Sequence, residues 1–256
     1  MTHIYRCEIT LQEATFFSSR EISNTYYTEP LLGNYALAYA FGFAQSPYFN
    51  QGEIRYVQDL GGLNEQGIYV TPGTLQGSPR FTFGQFNAQP DAYWFAFANN
   101  AIVSRSDGSW MEKAGPVWYE HRPGARRKIG LENRPQYGRI RMLAIGNRAV
   151  CHIISQEPLT LPRYIRLGKF MSKARVTVTK QPINITQRQE LRLNMLLNPA
   201  DLPSEYRLSI FDLITVPPTP LVQNVILSGS FYALSNGNYL PVGMRFGVEL
   251  LERKVK

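Results

Sequence analysis

Cysteine and histidine are scarce in this sequence: only Cys7 and Cys151 are cysteine, and only His3, His121 and His152 are histidine. Two thiols among apolar neighbours cannot staple a fold, so a disulfide-built secreted scaffold is excluded. Two reduced, buried cysteines are expected, with a bridge between them as the alternative. No CxxC or HxxxH spacing accompanies them, so neither a zinc site nor any other metal or cofactor is expected. Long apolar runs are missing too. None reaches about 18 residues, which excludes a transmembrane helix, and the first six residues lack the layout of a signal peptide. The expected location is cytoplasmic. Also absent are a GxSxG elbow, an HExxH helix and the glycine spacing of a nucleotide-binding P-loop.

Charge is modest overall, at 18% of residues, while 44% are hydrophobic. That composition, over 256 residues, supports a folded domain with a substantial core. The distribution of charge is far from even. Residues 1–121 carry a balance of −5, residues 122–180 a balance of +12, and residues 181–256 a balance of +1. In the middle segment 14 Lys and Arg face only Glu132 and Glu157. A surface shaped for solubility alone mixes the signs. Concentrated arginine suits phosphate, because its planar fork bonds two oxygens at once. Nucleic acid is therefore the expected partner, ahead of a solvated basic face or a patch for an acidic protein.

The basic segment has two parts. The first holds Arg122, Arg126, Arg127 and Lys128 around Pro123-Gly124, then Arg134, Tyr137, Arg139, Arg141 and Arg148. Its punctuation predicts an extended hairpin arm, inserted at about 115–150 in one domain spanning 1–256. Trp118, Tyr119 and Tyr137 are interspersed, and such rings either stack on unpaired bases or anchor the arm to the body. The second part holds Arg163, Arg166, Gly168, Lys169, Ser172, Lys173 and Arg175 with no acid among them. A glycine flanked by cations and a hydroxyl brings backbone N–H groups close to a phosphate, so this part reads as a compact grip.

Elsewhere the pattern is α+β with β dominant. Tyr5, Cys7, Ile9 and Leu11 alternate with polar residues, which predicts a half-buried strand. Residues 31–44 predict a helix with Thr28 as cap, Pro30 in its first turn, and Leu32, Ala36, Tyr39, Ala40 and Phe43 on its buried face. Short strands are expected at 54–57, 67–70 and 93–97, at 140–145 paired with 150–154, and at 175–179. Residues 191–197 and 205–213 fit helix or strand. Two final strands are expected at 222–234 and 244–251, joined by a turn with Asn-Gly chemistry. A ferredoxin-like sheet with a large insertion suits this order, with a β-sandwich as the competitor.

Catalytic signals are weak. His152 lies in an apolar run, where a structural role is expected. His121, beside Arg122 and near Tyr119, has the chemistry for acid–base cleavage of RNA without metal. The plainer reading is a histidine that joins a basic patch, and a binder is favoured over an enzyme.

Three stretches carry a family resemblance. Glu29-Pro30-Leu31-Leu32-Gly33-Asn34-Tyr35-Ala36-Leu37-Ala38-Tyr39-Ala40-Phe41-Gly42 resembles the first helix of the CRISPR RAMP superfamily. The Ile165-Arg166-Leu167-Gly168-Lys169-Phe170-Met171-Ser172-Lys173 core and the end from Gly237 through Gly243, Arg245 and Gly247 resemble its type I-D Csc-one branch, within the Cas-five family. The terminal loop has fewer glycines before Gly243 than the superfamily usually shows. The resemblance implies a modified ferredoxin-like, RRM-like antiparallel sheet with a thumb-like hairpin. It implies a non-catalytic subunit of Cascade, the type I-D interference complex. That subunit caps the 5′ handle of the CRISPR RNA (crRNA) and helps position target double-stranded DNA near the PAM. Neighbours would be the Cas-seven-type backbone subunit, Csc-two, and the type I-D large subunit. Relatives in another subtype cut repeat RNA themselves, so a metal-independent repeat endoribonuclease is the alternative.

Overall fold

Alternation in the opening segment sets the frame of the molecule. The computed structural model describes residues 1–23, 25–45, 55–87, 102–104, 108–115, 117–129, 137–235 and 237–248. Strand β1 (His3–Leu11) buries Tyr5, Cys7, Ile9 and Leu11 on one face and leaves Arg6, Glu8 and Thr10 partly exposed on the other. After it come β2 (Arg20–Ile22), β3 (Thr25–Tyr27), β4 (Leu31–Leu32), α1 (Asn34–Ala40), α2 (Tyr56–Glu65), β5 (Tyr69–Val70) and β6 (Gly73–Gln76). Then follow β7 (Phe81–Asn87), β8 (Ile102–Ser104), β9 (Trp110–Ala114), β10 (Val117–Arg122), β11 (Ala125–Ile129) and β12 (Tyr137–Leu143). The chain continues through β13 (Arg148–Ser155), β14 (Tyr164–Leu167), β15 (Ser172–Gln181) and β16 (Asn184–Leu193). The last strands are β17 (Arg207–Ile214), β18 (Leu221–Ala233) and β19 (Tyr239–Pro241). The fold is α+β and mostly antiparallel sheet. Among the described residues no helix is long and apolar enough to cross a membrane.

Two compact units emerge, one of residues 1–22, 26–83 and 141–256, the other of residues 23–25 and 84–140. In the first, β1 is flanked by β13 and β15 in a sheet ordered β14-β15-β1-β13-β6-β4, with β5 also on β13. A second sheet is ordered β16-β18-β17, with β19 on β18. The core gathers Cys7, Ile9 and Leu11 with Leu37 and Leu60 of the helices and Leu193, Val225 and Phe231 of the second sheet. Each of the aliphatic and phenyl side chains among them contributes about 1.5–3 kcal/mol by leaving water.

The helices differ from expectation. Leu31 and Leu32 pair with β6 as strand β4, so α1 starts only at Asn34 and runs seven residues. Thr28 does not cap it. Its buried hydroxyl accepts from the Phe17 N–H and donates to the Phe17 carbonyl, and Gly33 stands at the N-cap. The face turned inward is Asn34, Tyr35, Leu37 and Ala38, whereas Ala36, Tyr39 and Ala40 are only partly buried. Helix α2 replaces the short strand expected at 54–57, where Ile54 lies outside the described residues. Leu60 and Leu63 at helical spacing are its buried positions, and the Gly61-Gly62 pair between them hid that spacing.

The strands expected at 140–145 and 150–154 exist but do not pair, since β13 pairs with β1, β5 and β6. Residues 184–193 and 207–214 are strands. The strand expected at 93–97 lies outside the described residues. The final expected strand is different in kind. Met244, Phe246 and Val248 are buried in alternation without a sheet ladder. Side chains take its place: Asn64 donates to the Phe246 carbonyl and accepts from its N–H, at 2.9 and 2.8 Å. The buried Asp201 carboxylate accepts from Gly247 N–H (2.8 Å), Tyr69 (2.9 Å) and Asn34 (2.7 Å). Gly247 presses on the Ala200 carbonyl so closely that any Cβ would collide. Burial raises the Asp201 carboxyl from 3.8 to about 7 against the pull of those donors.

Candidate nucleic-acid interface

The β14–β15 hairpin turns its sequence alternation into two unlike faces. Ile165, Leu167, Ser172 and Ala174 point inward, while Tyr164, Arg166 and Arg175 are exposed and Lys173 is half-buried. In the ladder Tyr164 pairs with Arg175 and Arg166 with Lys173. The Lys173 ammonium sits 4.5 Å from the centre of the Tyr164 ring, a cation–π contact that fixes both. Arg166 donates to the Met171 carbonyl at 3.1 Å and lies 3.7 Å from the Glu13 carboxylate. Arg163 is exposed at the start of the hairpin, and Lys169 is exposed at its tip.

Gly168 and Ser172, expected to cradle a phosphate, are instead built into the fold. Ser172 is buried and its hydroxyl donates to the Ala14 carbonyl at 2.8 Å. Gly168 has φ +70° and stands so near the Phe16 carbonyl that a Cβ would collide with it. The neighbouring Lys169 N–H donates to that carbonyl at 2.9 Å. Phe170 stacks on Phe16 with centroids 5.3 Å apart. The tip is thus braced against the loop after β1, which makes it a rigid mount for the cations around it.

Register extends this face across the sheet. Arg175 pairs with Thr10, and Thr10 pairs with Arg148. Arg148, which charge counting assigned to the arm, therefore stands in the same cross-strand row as Arg175 and Tyr164. Its side chain is 65% exposed. With strands about 4.8 Å apart, Arg148 and Arg175 are about 10 Å apart along the row. Arg6 and Glu8 share this face, 3.5 Å apart.

In the second unit, β10 and β11 form the expected hairpin around Pro123-Gly124, with Arg122 paired to Ala125. Arg127 and Lys128 are exposed. Arg126 is engaged. It reaches the Glu112 carboxylate at 3.2 Å and lies over the Tyr119 ring at 3.9 Å. Glu112 also bonds His121 Nε2 at 2.8 Å, and the His121 ring stacks on Trp110 at 3.7 Å. The bond to His121, with Arg126 beside it, holds the Glu112 carboxyl below its ordinary value. Arg122 pairs with Glu120 at 3.2 Å. Trp118 is buried. Sequence reasoning missed Trp110 and Glu112. Their signal was alternation in 110–114, which places both on the face of Tyr119 and His121.

Arg139 is exposed on β12. Arg141 of the same strand lies between the Tyr27 and Phe81 rings, 4.7 and 4.2 Å from their centres. Arg134 and the Tyr137 side chain lie outside the described residues. In the terminal loop Gly237, Gly243 and Arg245 are exposed, whereas Gly247 is spent on Asp201.

A family model for the type I-D CRISPR-associated protein Cas5/Csc1 matches residues 2–249 of the chain. Among curated proteins none matches it.

Proposed function

The chain belongs to the type I-D CRISPR-associated Cas5/Csc1 family, and we propose that it is the non-catalytic subunit that caps the 5′ handle of the CRISPR RNA. The observation that carries this reading is the exposed row of the central sheet, with Arg175, Arg148 and Tyr164 in line and Arg166 and Lys173 beside them. Arginines spaced across a rigid sheet hold a backbone, and an exposed ring accepts an unpaired base, which is how single-stranded RNA is bound. Arg163 and Lys169 extend the grip, while Gly168 and Ser172 fix its shape.

In this reading the sheet is a modified ferredoxin-like, RRM-like one. The β10–β11 hairpin is the thumb-like arm, with Arg122, Arg127, Lys128 and Arg139 facing RNA or the target duplex near the PAM. The exposed Gly237, Gly243 and Arg245 of the terminal loop add backbone contacts. The subunit works in the cytoplasm beside the Cas-seven-type backbone subunit, Csc-two, and the large subunit. An assembled complex carrying Lys169→Ala and Lys173→Ala should retain less CRISPR RNA. Unchanged RNA occupancy removes the capping role.

One observation favours a second reading, a metal-independent repeat endoribonuclease. A histidine oriented by a carboxylate is the usual preparation of a general base, and His121 is held by Glu112 beside Tyr119. Incubating the purified chain with its repeat RNA in EDTA decides between the two.

A further inference from the structure

A cavity opens on the same sheet face, one step along β13 from Arg148. Arg148, Val150 and His152 alternate on this strand and so share the face of Arg175. Gln76 and Thr74 of β6 pair with Arg148 and Val150. Thr74, Gln76, Val150 and His152, with the segment 191–195 and Tyr239, line a cavity of about 280 Å³, near the lower limit for small-ligand pockets. By strand geometry His152 lies about 13 Å from Arg148.

His152 is the unusual member. Only 3% of it is exposed, and neither ring nitrogen has a hydrogen-bond partner among the described residues. Leaving a buried imidazole unpaired is destabilising, a cost that a phenylalanine or leucine of similar bulk would avoid. Its backbone N–H is satisfied by Thr71 at 2.9 Å, so the ring alone is unaccounted for. Burial, with Arg6 beside it, lowers the His152 pKa to about 4. The ring is neutral at physiological pH and offers one donor and one acceptor. These point to opposite sides of the ring, so one of them at a time can meet a polar group on the edge of a nucleobase. Tyr239 supplies an aromatic wall, with the Arg188 guanidinium 5.8 Å from its ring centre. Asn194, which is exposed, lines the same cavity.

We infer that this cavity is a pocket for one unpaired nucleobase of single-stranded RNA, entered when the strand's backbone lies on Arg175 and Arg148. This deepens the capping reading and rests on it. The row supplies sequence-independent grip, and the pocket supplies base recognition next to it.

The test uses the full chain and two probes, a short single-stranded RNA and a strand of equal length lacking its bases. The expected result is at least about tenfold tighter binding of the base-bearing strand, as stacking and pairing of a base provide. His152→Phe keeps the bulk of the ring and removes both nitrogens, and Asn194→Trp obstructs the cavity from an exposed position. In both, the ratio of the two affinities should fall by about tenfold. A ratio unmoved in both variants overturns the pocket while leaving RNA capping in place, and equal binding of the two strands by the natural chain overturns the pocket and base stacking on Tyr164 together, leaving only the backbone grip. Binding of neither strand overturns the capping reading and the pocket together.

Discussion

Arg148 and Arg175 stand on either side of Thr10, each paired with it across the central sheet. They lie 27 positions apart in the sequence, in segments that look like separate tools. The strand between them holds them at one spacing and on one face. A pair of cations so mounted loses little freedom on meeting a phosphate backbone, because the sheet has already ordered their main chain.

The hairpin that carries the cations should depend on residues that touch no ligand. Gly168→Ala meets both a left-handed backbone and the Phe16 carbonyl, and should cost about 2 kcal/mol or more. Ser172→Ala leaves the Ala14 carbonyl unpaired and should cost about 1–3 kcal/mol. Urea titration measures both. Stability equal to that of the natural chain would show that the tip is not braced as described.

Two buried groups should give opposite pH responses. Asp201 rises from 3.8 to about 7 in the fold. Its contribution is complete below about pH 4 and is lost as pH rises through about 7. His152 falls from 6.5 to about 4. Its contribution is complete above about pH 6.5 and is lost as pH falls through about 4. Relative to the natural chain, Asp201→Asn should therefore gain stability between pH 4 and 7 as pH rises. His152→Phe should gain it as pH falls across pH 6.5 to 4. Urea midpoints measured across that window give both slopes, and either slope with the reverse sign contradicts the assignment.

The His121–Glu112 pair sets a sharp alternative. With the natural chain, repeat RNA and EDTA, no specific cleavage is expected. Cleavage that disappears in His121→Ala would establish the endoribonuclease reading in its place.

Much of the frame was legible. Strand β1 followed from alternation, and the β10–β11 hairpin from Pro123-Gly124. Local pattern failed where partners decide. Leu31 and Leu32 have helical neighbours but are captured by β6. The spacing of Leu60 and Leu63 was masked by Gly61-Gly62. The alternation of Met244, Phe246 and Val248 reported burial correctly, yet Asn64 meets the Phe246 backbone and Asp201 the Gly247 N–H where a neighbouring strand was expected. Within the basic segment, charge counting drew a boundary between Arg148 and Arg175 that the sheet does not keep. Arg148 joins Arg175 only through register with β1, a nonlocal property that no window of sequence contains. Gly168 and Ser172 looked like ligand contacts because a braced turn and a phosphate cradle draw on the same residue types.

The most direct test of the account is the salt dependence of single-stranded RNA binding by the full chain, with Arg148→Ala and Arg175→Ala beside it. Each arginine that neutralises one phosphate adds about 0.7 to the slope of log affinity against log salt. Each variant should bind more weakly and lose about that much slope, and the double variant about twice as much. Affinity and slope unchanged in both single variants would contradict the claim that this sheet face holds RNA.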